Sequence, residues 1–182
     1  MAADVVKTSK FLSLVLRHKP DEIGLSLDEN GWADVEELIR RCVAHGMPLT
    51  RALLDRVVAE SDKKRFAFSD DGRRIRASQG HSVEVDLALT PTDPPEFLYH
   101  GTAVHFLDSI RADGLIAGKR RHVHLSRDEA TAAAVGRRHG RVVVLVVRAR
   151  DMHAAGHAFY LSANGVWLAD RVPVEFLDLP AE

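Results

Sequence analysis

Cysteine, aromatic side chains and long apolar runs are all scarce in this sequence. One of its 182 residues is a cysteine, Cys42, and 6% are aromatic. A lone cysteine excludes an internal disulfide framework and a CxxC metal motif. No apolar run approaches the ~20 residues that cross a bilayer, and residues 1–10 lack the apolar core of a signal peptide. These absences predict a cytoplasmic protein that does not bind a membrane.

An excess of one charge is also lacking. The 25 lysine and arginine residues and the 26 aspartate and glutamate residues leave a net charge of −1, which argues against a broadly basic nucleic-acid coat. The basic residues nonetheless cluster, within residues 63–65, 73–76, 119–122 and 137–141. Such clusters suit a compact phosphorylated target better than a long duplex, although solvated surface faces have the same composition.

Common signatures of cofactor and metal sites are absent. The chain contains no GxGxxG, no GxxxxGKS/T and no HExxH, so a Rossmann fingerprint, a P-loop and a zincin helix are excluded. His122 and His124 would share one face of a strand, but no nearby cysteine or carboxylate completes a ligand set. We therefore predict no metal site.

The first half of the chain is predicted to form three helices, over residues 5–16, 34–45 and 50–60. Asp34 and Thr50 are suited to cap the second and third helices, Asp34 together with Glu37 in a D-x-x-E capping box. The first helix ends in Arg17-His18-Lys19-Pro20, where the proline disfavours continuation and the cations complement the helix dipole.

Two short strands are predicted next, over residues 65–69 and 74–77, joined by the hairpin signal Asp71-Gly72. Three helices followed by a β-hairpin is the order of a winged helix, a fold that often binds nucleic acid. Fold alone does not establish function. The proline-rich segment 90–95 then predicts a linker, and we place the domain boundary between residues 90 and 91.

The second half is predicted to alternate strands and helices before ending in strands. Strands are expected over residues 97–101, 122–125, 142–147, 158–162, 166–169 and 174–179, and helices over residues 103–112 and 126–139. The continuous β-branched run Val142–Val147 indicates a buried strand. Asn164-Gly165 indicates a hairpin between two of the later strands.

The segment Tyr99-His100-Gly101-Thr102 stands where a predicted strand gives way to a predicted helix. Gly101 would let a ligand approach the main chain closely. Thr102 would cap the helix and leave its first N–H groups to a phosphate or a ribose. The alternative is a capped strand–helix turn in which His100 is a core histidine with its hydrogen bonds satisfied.

Ser126 and three arginines have the same double interpretation. Ser126 begins an S-x-x-E capping box, and its hydroxyl would either cap the following helix or line the mouth of a ligand cleft. Arg137, Arg138 and Arg141 would either bind a pyrophosphate or face water.

A further group consists of Arg17, His18, Arg65 and Arg120. Guanidinium groups bind phosphate oxygens bidentately, so three arginines and a histidine would suit a phosphate dianion. Spacing alone leaves open whether these side chains converge.

Longer motifs run through almost the whole chain in a fixed order. They are Ser9–Pro20, Asn30-Gly31-Trp32, Asp62–Phe66, Ile75–Ser82, Tyr99–Thr102, Arg120–Ser126, Phe159–Ser162 and Asn164–Leu168. In these motifs the chain resembles the RNA 2′-phosphotransferases, the KptA-type enzymes related to the tRNA-splicing phosphotransferase of fungi.

The resemblance implies an α+β fold, with an N-terminal winged-helix RNA-binding lobe (residues 1–90) and a C-terminal ADP-ribosyltransferase-like NAD⁺ lobe (residues 91–182). It implies four catalytic residues: Arg17, His18, Arg65 and Arg120. Arg120 is favoured over the adjacent Arg121 because the family pattern resembles R-x-H-V-H-L. The residues expected to bind NAD⁺ are His100, Gly101, Thr102, Ser126, Arg138 and Tyr160.

The resemblance also implies a reaction in two steps, without a metal. The 2′-phosphate of an internal RNA nucleotide attacks the nicotinamide ribose of NAD⁺, giving nicotinamide and ADP-ribosylated RNA. The ribose 2″-hydroxyl then attacks the bridging phosphate, giving RNA with a free 2′-hydroxyl and ADP-ribose 1″,2″-cyclic phosphate. We expect a monomer with these two substrates.

Two other functions are weighed against this one. An ADP-ribosyltransferase that caps terminal phosphates of RNA or DNA would use the same NAD⁺ lobe and the first step only. Many ADP-ribosyltransferases also carry a catalytic glutamate, and Glu175 does not match that motif. A winged-helix nucleic-acid binder with a degenerate second domain would consume no NAD⁺.

Overall fold

The structure is a computed structural model that describes residues 2–61 and 63–180. Asp62, which begins one of the motifs quoted above, lies outside the described residues. By its internal contacts the chain divides into two compact units, unit 1 (Met1–Ala88) and unit 2 (Leu89–Glu182). Both units combine helices with small antiparallel sheets, so the fold class is α+β.

The described part of unit 1 contains helices α1 (Ala2–Arg17), α2 (Val35–Ala44) and α3 (Arg51–Ala59), strands β1 (Ala33–Asp34), β2 (Phe66–Phe68) and β3 (Arg74–Ala77), and a 3-10 helix at Pro20–Ile23. The three predicted helices and both predicted caps are confirmed. Asp34 accepts a hydrogen bond from Glu37 N at 2.8 Å. Thr50 Oγ1 accepts one from Leu53 N at 3.2 Å. Each cap satisfies a main-chain donor that a helix leaves open at its start.

The sheet of unit 1 has the strand order β1-β3-β2. The predicted hairpin is confirmed, and Gly72 in its turn has a φ of +66°. β1 was not predicted: it pairs Ala33 with Ile75, and two residues are too few to carry an alternating pattern.

The core of unit 1 is built on the buried face of α1. Leu12 and Leu16 have no exposed surface, nor do Leu38 of α2 and Leu54 of α3. Replacing such a leucine by alanine costs roughly 2–5 kcal/mol in protein cores. The buried face therefore anchors α1, whose last residue is Arg17, in the core of unit 1.

Among the described residues, unit 2 contains β4 (Leu98–Ala103), α4 (Leu107–Asp113), β5 (Leu115–Ile116), β6 (Val123–Leu125), α5 (Glu129–Gly136), β7 (Val142–Val147), α6 (Ala149–Ala154), β8 (Tyr160–Leu161), β9 (Trp167–Ala169), β10 (Arg171–Val172) and β11 (Leu177–Asp178). Short 3-10 helices occupy Val104–Phe106, Arg137–His139 and Val174–Phe176. The strand predicted over residues 142–147 is confirmed at both ends. α6, β5 and β10 were not predicted.

The strands of unit 2 form sheets in the orders β11-β7-β4, β6-β9-β8 and β10-β5. β7 lies between two antiparallel partners. The turn at Asn164-Gly165 joins β8 to β9 as predicted, with Gly165 N donating to Ser162 O at 2.9 Å. An isolated bridge between Tyr99 and Ser126 connects β4 to the segment that follows β6.

Thr102 does not cap a helix, and that prediction was wrong. β4 continues to Ala103 because it stays paired with β7, with Thr102 opposite Val143. α4 begins later, at Leu107, after a 3-10 turn. The N–H groups at Thr102 therefore belong to a sheet and not to a helix start.

Ser126 is not a helix cap either. α5 begins at Glu129, and Asp128 is its N-cap, accepting a hydrogen bond from Thr131 N at 2.7 Å. Ser126 N instead donates to Tyr99 O at 2.8 Å, and Tyr99 N donates back to Ser126 O at 2.9 Å. The aspartate two residues later is the better-placed cap because Ser126 is held in extended pairing.

Candidate active site

In unit 1, a loop after β3 holds the C-terminal end of α1. Ser82 N donates to Arg17 O at 2.9 Å, and Val83 N donates to the same carbonyl at 3.4 Å. The Ser82 hydroxyl lies 2.9 Å from His18 Nδ1. The main chain of Arg17 and the ring of His18 are therefore oriented by one short segment, although His18 itself is exposed.

Arg65 joins the same cluster just before β2. Arg17 Nη2 donates to Arg65 O at 3.4 Å, and Ser78 N donates to that carbonyl at 2.9 Å. Arg65 N donates to Ser61 Oγ at 3.3 Å. Unit 1 thus brings together three of the four residues predicted to act on a phosphate: Arg17, His18 and Arg65.

His81 reports the electrostatic character of this cluster. Its side chain is only 4% exposed. Burial, and after it the nearby charges of Arg17, Arg76 and His18, together lower the pKa of His81 to about 4. The imidazole therefore stays neutral at pH 7. The positive field that disfavours a proton on His81 favours an anion at the same place.

Sequence reasoning missed His81 and Ser82 as members of the cluster. His81 Nε2 is buried without a hydrogen-bond partner among the described residues. Both residues belong to a motif that carried the family resemblance, Ile75–Ser82. The motif was the only signal, because a loop conformation that reaches back to a helix end leaves no periodic pattern.

In unit 2, His100 lies on β4 and is fixed by β6. His100 Nδ1 lies 3.0 Å from His124 O, and since a carbonyl can only accept, Nδ1 carries the proton. Burial lowers the pKa of His100, the hydrogen bond to His124 opposes that effect, and His139 adds to it. A neutral His100 then has Nε2 as an acceptor for a hydroxyl.

His124 connects His100 to Arg120. Arg120 Nη1 lies 3.0 Å from His124 Nδ1, and the guanidinium can only donate, so that ring nitrogen accepts. The sequence singles out His124 only as one of two histidines on a strand face, and it does not indicate the contact with Arg120. The contact gives Arg120 a defined anchor, although its side chain is exposed.

A cavity of about 180 Å³ opens beside His100 and Thr102. Thr102 is 6% exposed. The remaining lining comes from the turn after β4, from α4 and from β5: Phe106, Ser109, Ile110, Asp113, Gly114, Leu115 and Ile116. Two of the predicted NAD⁺ residues therefore share one pocket that combines polar and apolar walls.

Gly101 has a structural reason to be glycine. A side-chain carbon there would lie 1.7 Å from the carbonyl oxygen of Ala132 in α5. Gly136 of the same helix lies equally close to β4, because a carbon added there would lie 2.9 Å from Thr102 N. The close approach that the sequence predicted at Gly101 is made by α5, and a ligand contact there stays a prediction.

The remaining predicted NAD⁺ residues lie elsewhere in unit 2. Arg138 is exposed in the 3-10 helix after α5. Tyr160 packs its ring 5.6 Å from that of His122, and His122 Nε2 lies 3.5 Å from Asp170. Ser126 contributes main-chain bonds to Tyr99, as described above. Their roles stay predictions.

The described residues contain neither a metal-binding group of side chains nor a membrane-spanning helix. No three histidine, cysteine, aspartate or glutamate side chains within residues 2–61 and 63–180 are grouped so that they could hold a metal ion. Over the same residues, no helix combines the length and the apolar character needed to cross a membrane.

Comparison with known proteins points to one family. A family model described as RNA 2′-phosphotransferase, Tpt1 / KptA family, matches residues 3–171. A probable RNA 2′-phosphotransferase of Agrobacterium fabrum is 59% identical over 175 residues, covering 96% of this chain and 94% of that protein. One from Pseudomonas aeruginosa is 60% identical over 171 residues, covering 93% and 94%. The RNA 2′-phosphotransferase of Escherichia coli K12 is 57% identical over 176 residues, covering 96% of each chain.

Proposed function

The chain belongs to the RNA 2′-phosphotransferase, Tpt1 / KptA family, and from that premise we propose that it transfers an internal RNA 2′-phosphate to NAD⁺. The products would be RNA with a free 2′-hydroxyl, ADP-ribose 1″,2″-cyclic phosphate and nicotinamide. The observation that carries the proposal is the contact between Arg17 and Arg65, with His18 next to Arg17 in the same loop-held cluster.

We further propose that unit 1 is a winged helix and that unit 2 is an ADP-ribosyltransferase-like lobe. Three helices followed by a hairpin support the first assignment, and so does the pairing of β1 with the outer edge of β3. The small antiparallel sheets of unit 2, with His100 on β4 and Tyr160 on β8, support the second.

Arg17 and Arg65 would bind the 2′-phosphate directly. A guanidinium is always charged and presents its donors in a fixed plane, so it suits a phosphate dianion better than an ammonium group does. Arg17 already donates one hydrogen bond to the Arg65 carbonyl, and this bond limits the orientations of the Arg17 side chain. A side chain held in advance loses less entropy when it binds.

His18 would hydrogen-bond the phosphate and move a proton during transfer. The unperturbed pKa of histidine, ~6.5, lets it donate or accept near neutral pH. The Ser82 hydroxyl at Nδ1 fixes the ring plane. We propose that this contact keeps the other ring nitrogen directed at the phosphate.

The residues beside the 180 Å³ cavity fit one end of a dinucleotide. The cavity is smaller than the ~300 Å³ at which sites for drug-sized ligands begin, so it would accept one ring and its ribose and not the whole molecule. His100 Nε2 would accept a hydrogen bond from a ribose hydroxyl. Gly101, Thr102, Ser126, Arg138 and Tyr160 complete the proposed NAD⁺ site.

Arg120 would stabilise negative charge on the phosphate during transfer. NAD⁺ supplies the acceptor ribose and a good leaving group, nicotinamide, so the protein mainly has to position the reactants and stabilise charge. The contact with His124 gives Arg120 a defined anchor, and the family pattern R-x-H-V-H-L favours it over Arg121 as the fourth catalytic residue. A lost electrostatic contact of this kind typically costs ~10²–10³ in rate.

The test uses two labelled RNA oligonucleotides, one with an internal 2′-phosphate and one with only a 5′-terminal phosphate. With NAD⁺, we expect the first to lose its label as ADP-ribose 1″,2″-cyclic phosphate, identified by mass spectrometry. A stable ADP-ribosylated end on the second, without release from the first, would mean terminal-phosphate capping. Binding of both RNAs without NAD⁺ consumption would leave only a nucleic-acid binder.

A further inference from the structure

A groove of about 400 Å³ runs along unit 1 between α1, α3 and the segment before β2. Its lining combines three apolar residues with seven polar or charged ones: Val5, Val6 and Val57, and Ser9, Lys10, Ser13, Glu60, Ser61, Lys63 and Arg65. The volume lies within the ~300–1,000 Å³ typical of sites for small molecules. A nucleotide is of that size class.

Arg65 makes this groove continuous with the proposed phosphate cluster. It lines the groove and accepts the hydrogen bond from Arg17 through its carbonyl. Ser61, which also lines the groove, holds Arg65 N at 3.3 Å. A strand whose 2′-phosphate met Arg17 and Arg65 would therefore enter the groove with its neighbouring nucleotide.

The groove is also aligned with α1. Val6, Ser9, Ser13 and Arg17 follow one another at spacings of three or four residues, which places them on one face of a helix. Ser13 Oγ donates to Ser9 O at 2.8 Å, so the Ser13 oxygen still has lone pairs for a donor in the groove. This face leads from the proposed phosphate cluster towards the exposed Val6, which is 56% exposed.

The charges and surfaces fit a single RNA strand. Among the described lining residues, Lys10, Lys63 and Arg65 supply three cations and Glu60 supplies one carboxylate. Arg56 Nε lies 3.0 Å from Glu60 Oε1 and offsets that carboxylate. A groove lined by cations can follow a single-stranded backbone, and its apolar valine side chains offer a neighbouring base a surface to pack against.

We propose that this groove binds the nucleotide adjacent to the 2′-phosphorylated one, with Lys10 contacting its phosphodiester and the valines that line the groove packing against its base. The proposal rests on the proposed function for its substrate. It adds a substrate requirement: RNA extended on one side of the 2′-phosphate should bind more tightly than the minimal phosphorylated nucleotide.

The test measures binding by fluorescence anisotropy for 2′-phosphorylated oligonucleotides extended on the 5′ or on the 3′ side, between 50 and 200 mM salt, about the range over which phosphate contacts are resolved. One extension should tighten binding by the wild-type protein. Lys10→Ala should remove most of that gain, about three- to fivefold, and reduce the salt slope by ~0.7 for the one lost phosphate contact.

Lys7→Ala is the matched control, because Lys7 is an exposed lysine on the same helix that does not line the groove. It should leave the gain unchanged. Val6→Asp, which places a carboxylate in the groove, should weaken binding of the extended RNA further. Val43→Asp alters a valine of similar exposure, 54%, on α2 and should not.

The groove proposal would be wrong if Lys10→Ala and Lys7→Ala changed RNA affinity equally. It would also be wrong if the extended RNA still bound more tightly than the minimal one to the Lys10→Ala protein. Turnover by the wild-type protein separates this from the proposed function. If the extension tightened binding through Lys10 but no phosphate were released, the groove proposal would stand and the proposed reaction would be wrong. If phosphate were released but the extension gave no Lys10-dependent gain in affinity, only the groove proposal would be wrong.

Discussion

The proposed phosphate residues of unit 1 and the proposed NAD⁺ residues of unit 2 are held in different ways. In unit 1, Arg17 and His18 end a helix, and a loop fixes them through Ser82. In unit 2, the NAD⁺ residue His100 is held by one residue of a strand, His124, which also contacts the proposed catalytic residue Arg120. The first arrangement pairs the half-buried Arg17 with the exposed ring of His18, and the second holds the half-buried ring of His100, whose pKa is lowered by burial.

The difference matches what each partner requires. A phosphate dianion binds mainly through its charge and its charge-assisted hydrogen bonds, so cations held in fixed positions suit it. A ribose and a base offer hydroxyl groups and flat apolar surfaces, so buried neutral donors and acceptors in a mixed pocket suit them. The comparison predicts that substitutions in the two units will have separable effects.

The largest expected effect is on catalysis by the residues at the phosphate. Arg120→Ala and His18→Ala should each slow the second step by ~10²–10³ and affect substrate binding less, so ADP-ribosylated RNA should accumulate. A single-turnover time course with labelled 2′-phosphorylated RNA, resolved on a gel, measures this. Arg121→Ala serves as the neighbouring control for Arg120. Equal slowing of both steps, with no intermediate, would argue against these roles.

The next largest effect is a loss of stability in unit 2, caused by Gly101→Ala. Gly101→Ala would place a carbon on the Ala132 carbonyl, and α5 would have to shift on β4. Overpacking of this kind costs about 1–3 kcal/mol or more. Thermal unfolding should show a clear fall in Tm.

Gly118→Ala is the control for that substitution, since nothing lies within 4 Å of an added carbon there, although Gly118 has a φ of +63°. Its cost should be limited to backbone strain, about 1–2 kcal/mol. A Gly101→Ala protein as stable as the Gly118→Ala protein would mean that α5 does not pack on β4 as described.

A smaller effect is expected at Ser82, which we propose as a positioning residue for His18. Ser82→Ala removes the hydroxyl at His18 Nδ1 but keeps the main-chain bond to Arg17. We expect kcat to fall about fivefold, in keeping with a net hydrogen-bond contribution of about 1 kcal/mol, with little change in KM for RNA. Ser82→Thr should restore much of the rate. A loss of RNA affinity with unchanged kcat would contradict a positioning role.

Local chemistry made the helices and hairpins of this chain predictable. Asp34 and Thr50 cap the helices they were expected to cap, because a cap depends only on residues within one turn. Asp71-Gly72 and Asn164-Gly165 form the expected hairpins for the same reason.

Long-range pairing decided the errors. Thr102 stays in a strand because β7 continues opposite it, and Ser126 is paired with Tyr99. Neither partner is near in sequence, so propensity favoured a helix start at both positions. β1 escaped prediction because it exists only through its pairing with β3.

Part of the candidate site was accessible from sequence by motif, but not its geometry. The motifs named Arg17, His18 and Arg65, and the structure brings these three together within unit 1. The supporting residues Ser82 and His124 could not be deduced as partners, since each contact depends on a loop or strand conformation. The roles of all of them in catalysis stay predictions.

The division of roles between the two units is tested most directly by paired titrations of NAD⁺ and RNA with two variants. His100→Ala should raise the KM for NAD⁺ about tenfold, as expected for a lost hydrogen bond of about 1.4 kcal/mol, with the KM for 2′-phosphorylated RNA nearly unchanged. Arg65→Ala should weaken RNA binding and leave the NAD⁺ requirement nearly unchanged. If each variant altered both constants to the same extent, the assignment of phosphate binding to Arg65 and of NAD⁺ binding to His100 would be wrong.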